Sequence, residues 1–121
     1  MTTDRELLEL AAKAAGYTEF VYCEFWRCLA KWTDEDGGSF DSRTCWNPLT
    51  DDGDALRLAV CLHLDINQFP VTNGYVGMVE IWCNGDGDPA HVEYVRSEDD
   101  RLAATRRAIV CVAAEIGRLT K

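Results

Sequence analysis

Cations, histidines and serines are scarce in this chain, and each scarcity removes a class of function. Twelve Lys and Arg stand against 21 Asp and Glu, leaving a formal net charge of −9 at pH 7. Nucleic-acid binding relies on Lys and Arg displacing counterions from phosphates, so such a surface predicts no direct nucleic-acid partner. His63 and His91 are the only histidines for acid–base work near neutral pH. Ser39, Ser42 and Ser97 are the only serines, and none lies in a Gly-x-Ser-x-Gly elbow. Gly-x-x-x-x-Gly-Lys-Ser/Thr and Gly-x-Gly-x-x-Gly loops are absent, which leaves nucleotide chemistry of those types without its phosphate cradle. No apolar run approaches the ~20 residues needed to span a bilayer. Met1-Thr-Thr-Asp-Arg-Glu6 lacks the basic-then-apolar order of a secretory signal, so a cytoplasmic protein without membrane contact is expected.

What is present is an ordinary globular composition, 47% hydrophobic and 27% charged over 121 residues, read as a single domain spanning 1–121. Six cysteines (23, 28, 45, 61, 83 and 111) contain no Cys-x-x-Cys, and neither histidine stands at ligand-like spacing. Free thiols, no metal and no cofactor are expected, with a zinc site assembled only in three dimensions as the alternative. Cys23 and Cys28 fall an odd number of residues apart on what reads as one strand, which would point them to opposite faces. Cys61 and Cys111 lie in apolar helical contexts and should act as small hydrophobes.

The stretch from Trp46 to Leu64 reads as the organising element. Thr50 or Asp51 can cap a helix whose first turn carries Asp52 and Asp54. From Ala55 the run Ala-Leu-Arg-Leu-Ala-Val-Cys-Leu is apolar nearly all round, which predicts a central, covered helix. A cation site at Asp51, Asp52 and Asp54 is the competing reading, and capping is favoured because the spacing is not that of an EF-hand. Upstream, Thr3-Asp-Arg-Glu6 opens a first helix from Asp4 to about Ala15, stopped by Gly16. Glu19 to Trp32 reads as a strand apolar on both faces, and a second runs from about Phe40 to Trp46. Downstream, Leu64–Val71, Tyr75–Cys83 and His91–Arg96 read as strands, with an Asn73-Gly74 hairpin and an Asn84–Pro89 turn between them. Gly77 marks a bulge or a close backbone approach. Ser97 caps a last helix with a stripe at Leu102, Ile109, Val112, Ala113, Ile116 and Leu119.

Three of these segments resemble a known family. Trp46–Leu64 is similar to the signature of the phage ABA sandwich domain family of small bacteriophage and prophage proteins. Ala103–Gly117 resembles that family's closing helix, and Glu6–Gly16 its first. The resemblance implies an α/β/α sandwich in a bacterial host cytoplasm and carries no catalytic residue. From the elements themselves the expected class is α+β, in the order α-β-β-α-β-β-β-α. The expected architecture is a three-layer α/β/α sandwich: a mostly antiparallel sheet of about four or five strands with helices on both faces.

Small size, acidic charge and missing motifs point to a non-enzymatic protein that binds a host or phage protein. A sharper form is an inhibitor of a host defence complex, acting through acidic loops: Asp34, Glu35 and Asp36, with Asp86 and Asp88 in the second turn. Those acids are also what solvated turns require. The alternative function is binding of a small ligand or nucleotide by Arg101, Arg106 and Arg107 of the last helix, where the guanidinium fork suits phosphate or carboxylate. A solvated helix face is the plainer account of those arginines.

Overall fold

The computed structural model describes residues 2–17, 20–32, 43–72, 76–83 and 87–120. Among these residues the class is α+β, with three α-helices and two separate three-stranded antiparallel sheets. Helix α1 (Asp4–Ala15) begins where the Thr3 hydroxyl accepts the Glu6 N–H, and ends where Gly16 turns left-handed at φ 82°. The first sheet joins β1 (Val21–Cys23), β2 (Cys28–Trp32) and β3 (Arg43–Trp46), with β2 in the middle.

The strand expected from Glu19 to Trp32 is therefore a hairpin. The chain reverses at residues 24–27, and Arg27 takes the left-handed conformation at φ 52°. Glu-Phe-Trp-Arg contains no Gly, Pro or Asn, and the positive φ falls on a residue that seldom adopts it, so the turn was hidden in an aromatic run. The correction reverses the expectation for two thiols: Cys23 and Cys28 are register partners on one face. Among the described residues it also places three strands, where two were expected, before the second helix.

Helix α2 (Asp52–Cys61) starts as expected, with the Asp51 carboxylate accepting the Asp54 N–H at 2.8 Å. It is not covered all round. Ala55, Leu58 and Ala59 face the core, whereas Leu56 and Val60 are 61% and 65% exposed. The central element is instead α3 (Arg101–Leu119), entered through a 3₁₀ turn at Glu98–Asp100 that Ser97 caps. It packs against α1 along one side, α2 along another, and β5 and β6 of the second sheet. Enclosure from several sides explains why Ala108, Val110 and Ala114 are buried beside the expected Ile109, Val112 and Ala113. Leu102 and Leu119, the ends of the expected stripe, lie outside that enclosure and are exposed.

The α1–α3 contact is close because small residues line it. A Cβ on Gly117 would run into the carbonyl oxygen of Leu10. Among the described residues no helix is long and apolar enough to cross a membrane.

The second sheet comprises β4 (Leu64–Phe69), β5 (Gly77–Cys83) and β6 (His91–Val95), with β5 central. Among the described residues the strands form two three-stranded sheets, where one sheet of four or five strands covered on both faces was expected. The second sheet rests one face on α3, and α2 contacts its β4 edge. Gly77 is a close approach as expected: a Cβ there would stand 2.7 Å from the Phe69 carbonyl and 2.8 Å from the Arg101 guanidinium.

Candidate interaction surface

Side chains alternate across a strand, so the buried residues of β5 reveal which face is which. Gly77, Val79 and Ile81 are buried toward α3, with Val95 of β6 beside Gly77. Met78, Glu80 and Trp82 must then face the other way. The register sets Phe69 opposite Met78 and Met78 opposite Tyr94, forming one continuous apolar row across three strands. Behind it, Asn67, Glu80 and Val92 form a second row, and Asp65 stands opposite Trp82.

Among the described residues no core side chain packs on this face, whose central residues Met78, Glu80, Trp82 and Val92 are half-buried. Phe69, Met78, Trp82, Val92 and Tyr94 belong neither to the buried core nor to the half-buried residues packed on it. Phe69 is 41% exposed and Tyr94 65%. Trp82 is steadied by its Nε1–H, which donates to Glu80 Oε1 at 3.4 Å. The face carries two carboxylates, Asp65 and Glu80, and the three strands contain no Lys or Arg. Exposed Arg96 follows directly after β6.

A second exposed aromatic feature tops the β1–β2 hairpin. Phe25 and Trp26 meet edge to face with centroids 5.1 Å apart and are 83% and 53% exposed. Asn47 holds this turn in place: its Nδ2 donates to the Arg27 carbonyl at 2.8 Å, and its backbone N–H donates to Asp54 at 2.9 Å.

The residues singled out from sequence are scattered. Asp34, Glu35, Asp36 and Asp86 lie outside the described residues; Asp88 is exposed. Asp51, Asp52 and Asp54 are engaged by the fold: Asp51 caps α2, Asp54 takes Arg57 at 2.7 Å, and Asp52 takes Arg106 at 2.6 Å. Among the described residues no group of three His, Cys, Asp or Glu is placed to hold a metal ion.

The three arginines do not converge. Arg101 donates to Gln68 Oε1, the Phe69 carbonyl and both Glu98 oxygens, at 2.7 to 2.8 Å, pinning the start of α3 to the end of β4. The Arg101 guanidinium, helped by the Val71 N–H, holds the Glu98 carboxyl down to about 2. Arg106 donates to the Leu49 carbonyl at 2.8 Å as well as to Asp52. Arg107 stands 3.7 Å from Asp4 and lines a cleft with His91, Cys111 and Arg118. Its neighbours there are matched too, His91 with Glu93 at 2.9 Å and Arg118 with Glu115 at 3.3 Å. The cleft is charge-balanced, unlike an anion cradle. Burial pushes the Cys111 thiol up, away from the thiolate a nucleophile needs.

The open sheet face was missed because the strands were expected to be covered on both sides. The signal was there in β4, where Leu64 and Ile66 alternate with Asp65 and Asn67, the pattern of a strand with one wet face. No family model, characterised protein or solved structure matches the chain, so the likeness of its three helical segments to the phage family stands without further support.

Proposed function

We propose that this chain is a non-enzymatic protein-binding module that docks a basic partner on the open face of its second sheet. The observation that carries this reading is the Phe69–Met78–Tyr94 row, flanked by Trp82 and by the carboxylates of Asp65 and Glu80. Aromatic and methionine side chains are enriched at the centres of protein interfaces, and Trp and Tyr recur as binding hot spots. A wet, apolar row of this kind is costly to leave exposed unless something covers it.

Charge selects the partner class. A face bearing only carboxylates, on a chain of net charge −9, favours a surface with Lys or Arg around an apolar centre. Long-range attraction of that kind speeds encounter and weakens with salt. With the phage resemblance taken into account, the partner would be a host or phage protein. Its basic surface could be one that otherwise holds nucleic acid, which is how an acidic inhibitor of a defence complex would work.

The test is affinity capture from bacterial lysate with the wild-type chain, a Phe69→Ser/Tyr94→Ser variant and a Leu119→Ser control. The reading expects a salt-sensitive protein retained by wild type and control and lost by the face variant. Equal capture by all three would sink it.

A further inference from the structure

We propose that Cys23 and Cys28 form a dithiol site that undergoes thiol–disulfide exchange with small-molecule disulfides, closing a covalent ring beneath the Phe25–Trp26 tip. The two residues are direct partners in the antiparallel β1–β2 register. Directly opposed residues in such a ladder have Cα atoms about 4.5 or 5.5 Å apart, depending on the pair type. A disulfide needs a Cα separation of about 4.4–6.8 Å, which either pair type meets, and Cβ atoms about 3.5–4.5 Å apart, which opposed residues approach to within about 1 Å, so bridging takes at most a small local adjustment of the hairpin. Both side chains leave the sheet on the same side, opposite to the core row of Tyr22, Leu29 and Trp46.

The register also excludes the nearest competitor. Cys45 on β3 is opposite Ala30, two residues along from Cys28. Such diagonal neighbours lie about 7–8 Å apart, past the bridging limit. Cys45 and Cys23 are separated by the whole of β2, about twice the ~4.8 Å strand spacing. Cys61, Cys83 and Cys111 belong to other elements.

Access orders the two steps. Cys23 is half-buried and Cys28 buried, so the incoming disulfide meets Cys23 first. The Cys23 thiolate attacks one sulfur of the small disulfide, forming a mixed disulfide and expelling one thiolate. The Cys28 thiolate then attacks the Cys23 sulfur, forming the Cys23–Cys28 bond and expelling the second. Two protein thiols are oxidised, one small disulfide is reduced to two thiols, and the two protein protons pass to those leaving groups. Among the described residues the six cysteines are in no disulfide, which is the reduced end of this reaction. The bond would fix both ends of the turn at residues 24–27, whose Arg27 is already tied to Asn47.

The experiment treats the full chain with oxidised glutathione at neutral pH, followed by intact mass and a tryptic map. Trypsin cuts after Arg27, so a Cys23–Cys28 bond holds together two peptides that otherwise separate. The expected result is a mass lower by two hydrogens with that peptide pair linked, all reversed by excess reductant. Cys28→Ser should instead trap a lasting glutathione adduct on Cys23. The proposal is overturned if wild type accumulates stable Cys23–glutathione, links a different pair, or leaves Cys23 unmodified.

Discussion

Met78 stands directly opposite Tyr94 across the β5–β6 ladder, and both face away from the helix that buries Val79 and Val95. The sheet thus has a dry side, where β-branched residues meet α3, and an opposite side that carries aromatic and thioether groups. Of the charged residues noticed in the sequence, Arg101 ties α3 to the end of β4, and Arg106 ties it to Asp52 and Leu49 beside α2.

The α1–α3 contact depends on having no side chain at position 117. Gly117→Ala should destabilise the protein by about 1–3 kcal/mol, because the new methyl meets the Leu10 carbonyl and forces the helices apart. Urea unfolding of the variant checks this. An unchanged midpoint would mean the helices are not so close.

Arg106 serves architecture in this structure. Arg106→Met should cost about 1–2 kcal/mol, chiefly from losing the bond to the Leu49 carbonyl, since the Asp52 partner is largely exposed. Thermal unfolding measures it. A variant as stable as wild type would free Arg106 for the ligand-binding role that the sequence suggested.

Glu98 sets a pH signature. Its carboxyl is lowered to about 2 by the Arg101 guanidinium and the Val71 N–H, against ~4.3 when unfolded. A lowered folded value means the contribution is fully present above the unfolded pKa and fades as pH falls toward 2. NMR titration of the Glu98 carboxyl should show the low value, and Arg101→Gln should return it toward the ordinary range. An ordinary value in wild type would contradict the Arg101 clamp.

Thiol reactivity should follow burial. Burial raises the Cys111 pKa, so at neutral pH it stays a thiol and alkylates slowly, whereas exposed Cys45 and Cys61 react early. Time-resolved alkylation with mass spectrometry reads the order, and early labelling of Cys111 would contradict its placement.

Local chemistry made part of this fold legible. Thr3, Asp51 and Ser97 cap as their side chains suggest, and Gly16 and Gly77 do what a missing Cβ allows. Tertiary arrangement was harder to read. The apolar circumference of α2 implied burial, yet Leu56 and Val60 face outward, because composition does not say how many neighbours a helix has. The turn at residues 24–27 uses a left-handed Arg in place of the usual Gly or Asn, so a hairpin passed for a strand and a facing thiol pair for an opposed one. The face opposite α3 belongs to the second of two three-stranded sheets, and which side of it a helix covers depends on contacts distant in sequence.

The most direct test of the docking account is the affinity of the captured partner for three purified chains: wild type, Met78→Ser/Tyr94→Ser, and Phe25→Ser at the hairpin tip. Isothermal titration at two salt concentrations gives the numbers. The account predicts a loss of about tenfold or more for the sheet variant, the scale of losing interface hot spots, with the tip variant near wild type and binding weaker at higher salt. Undiminished affinity in the sheet variant, or a loss confined to Phe25→Ser, would contradict it.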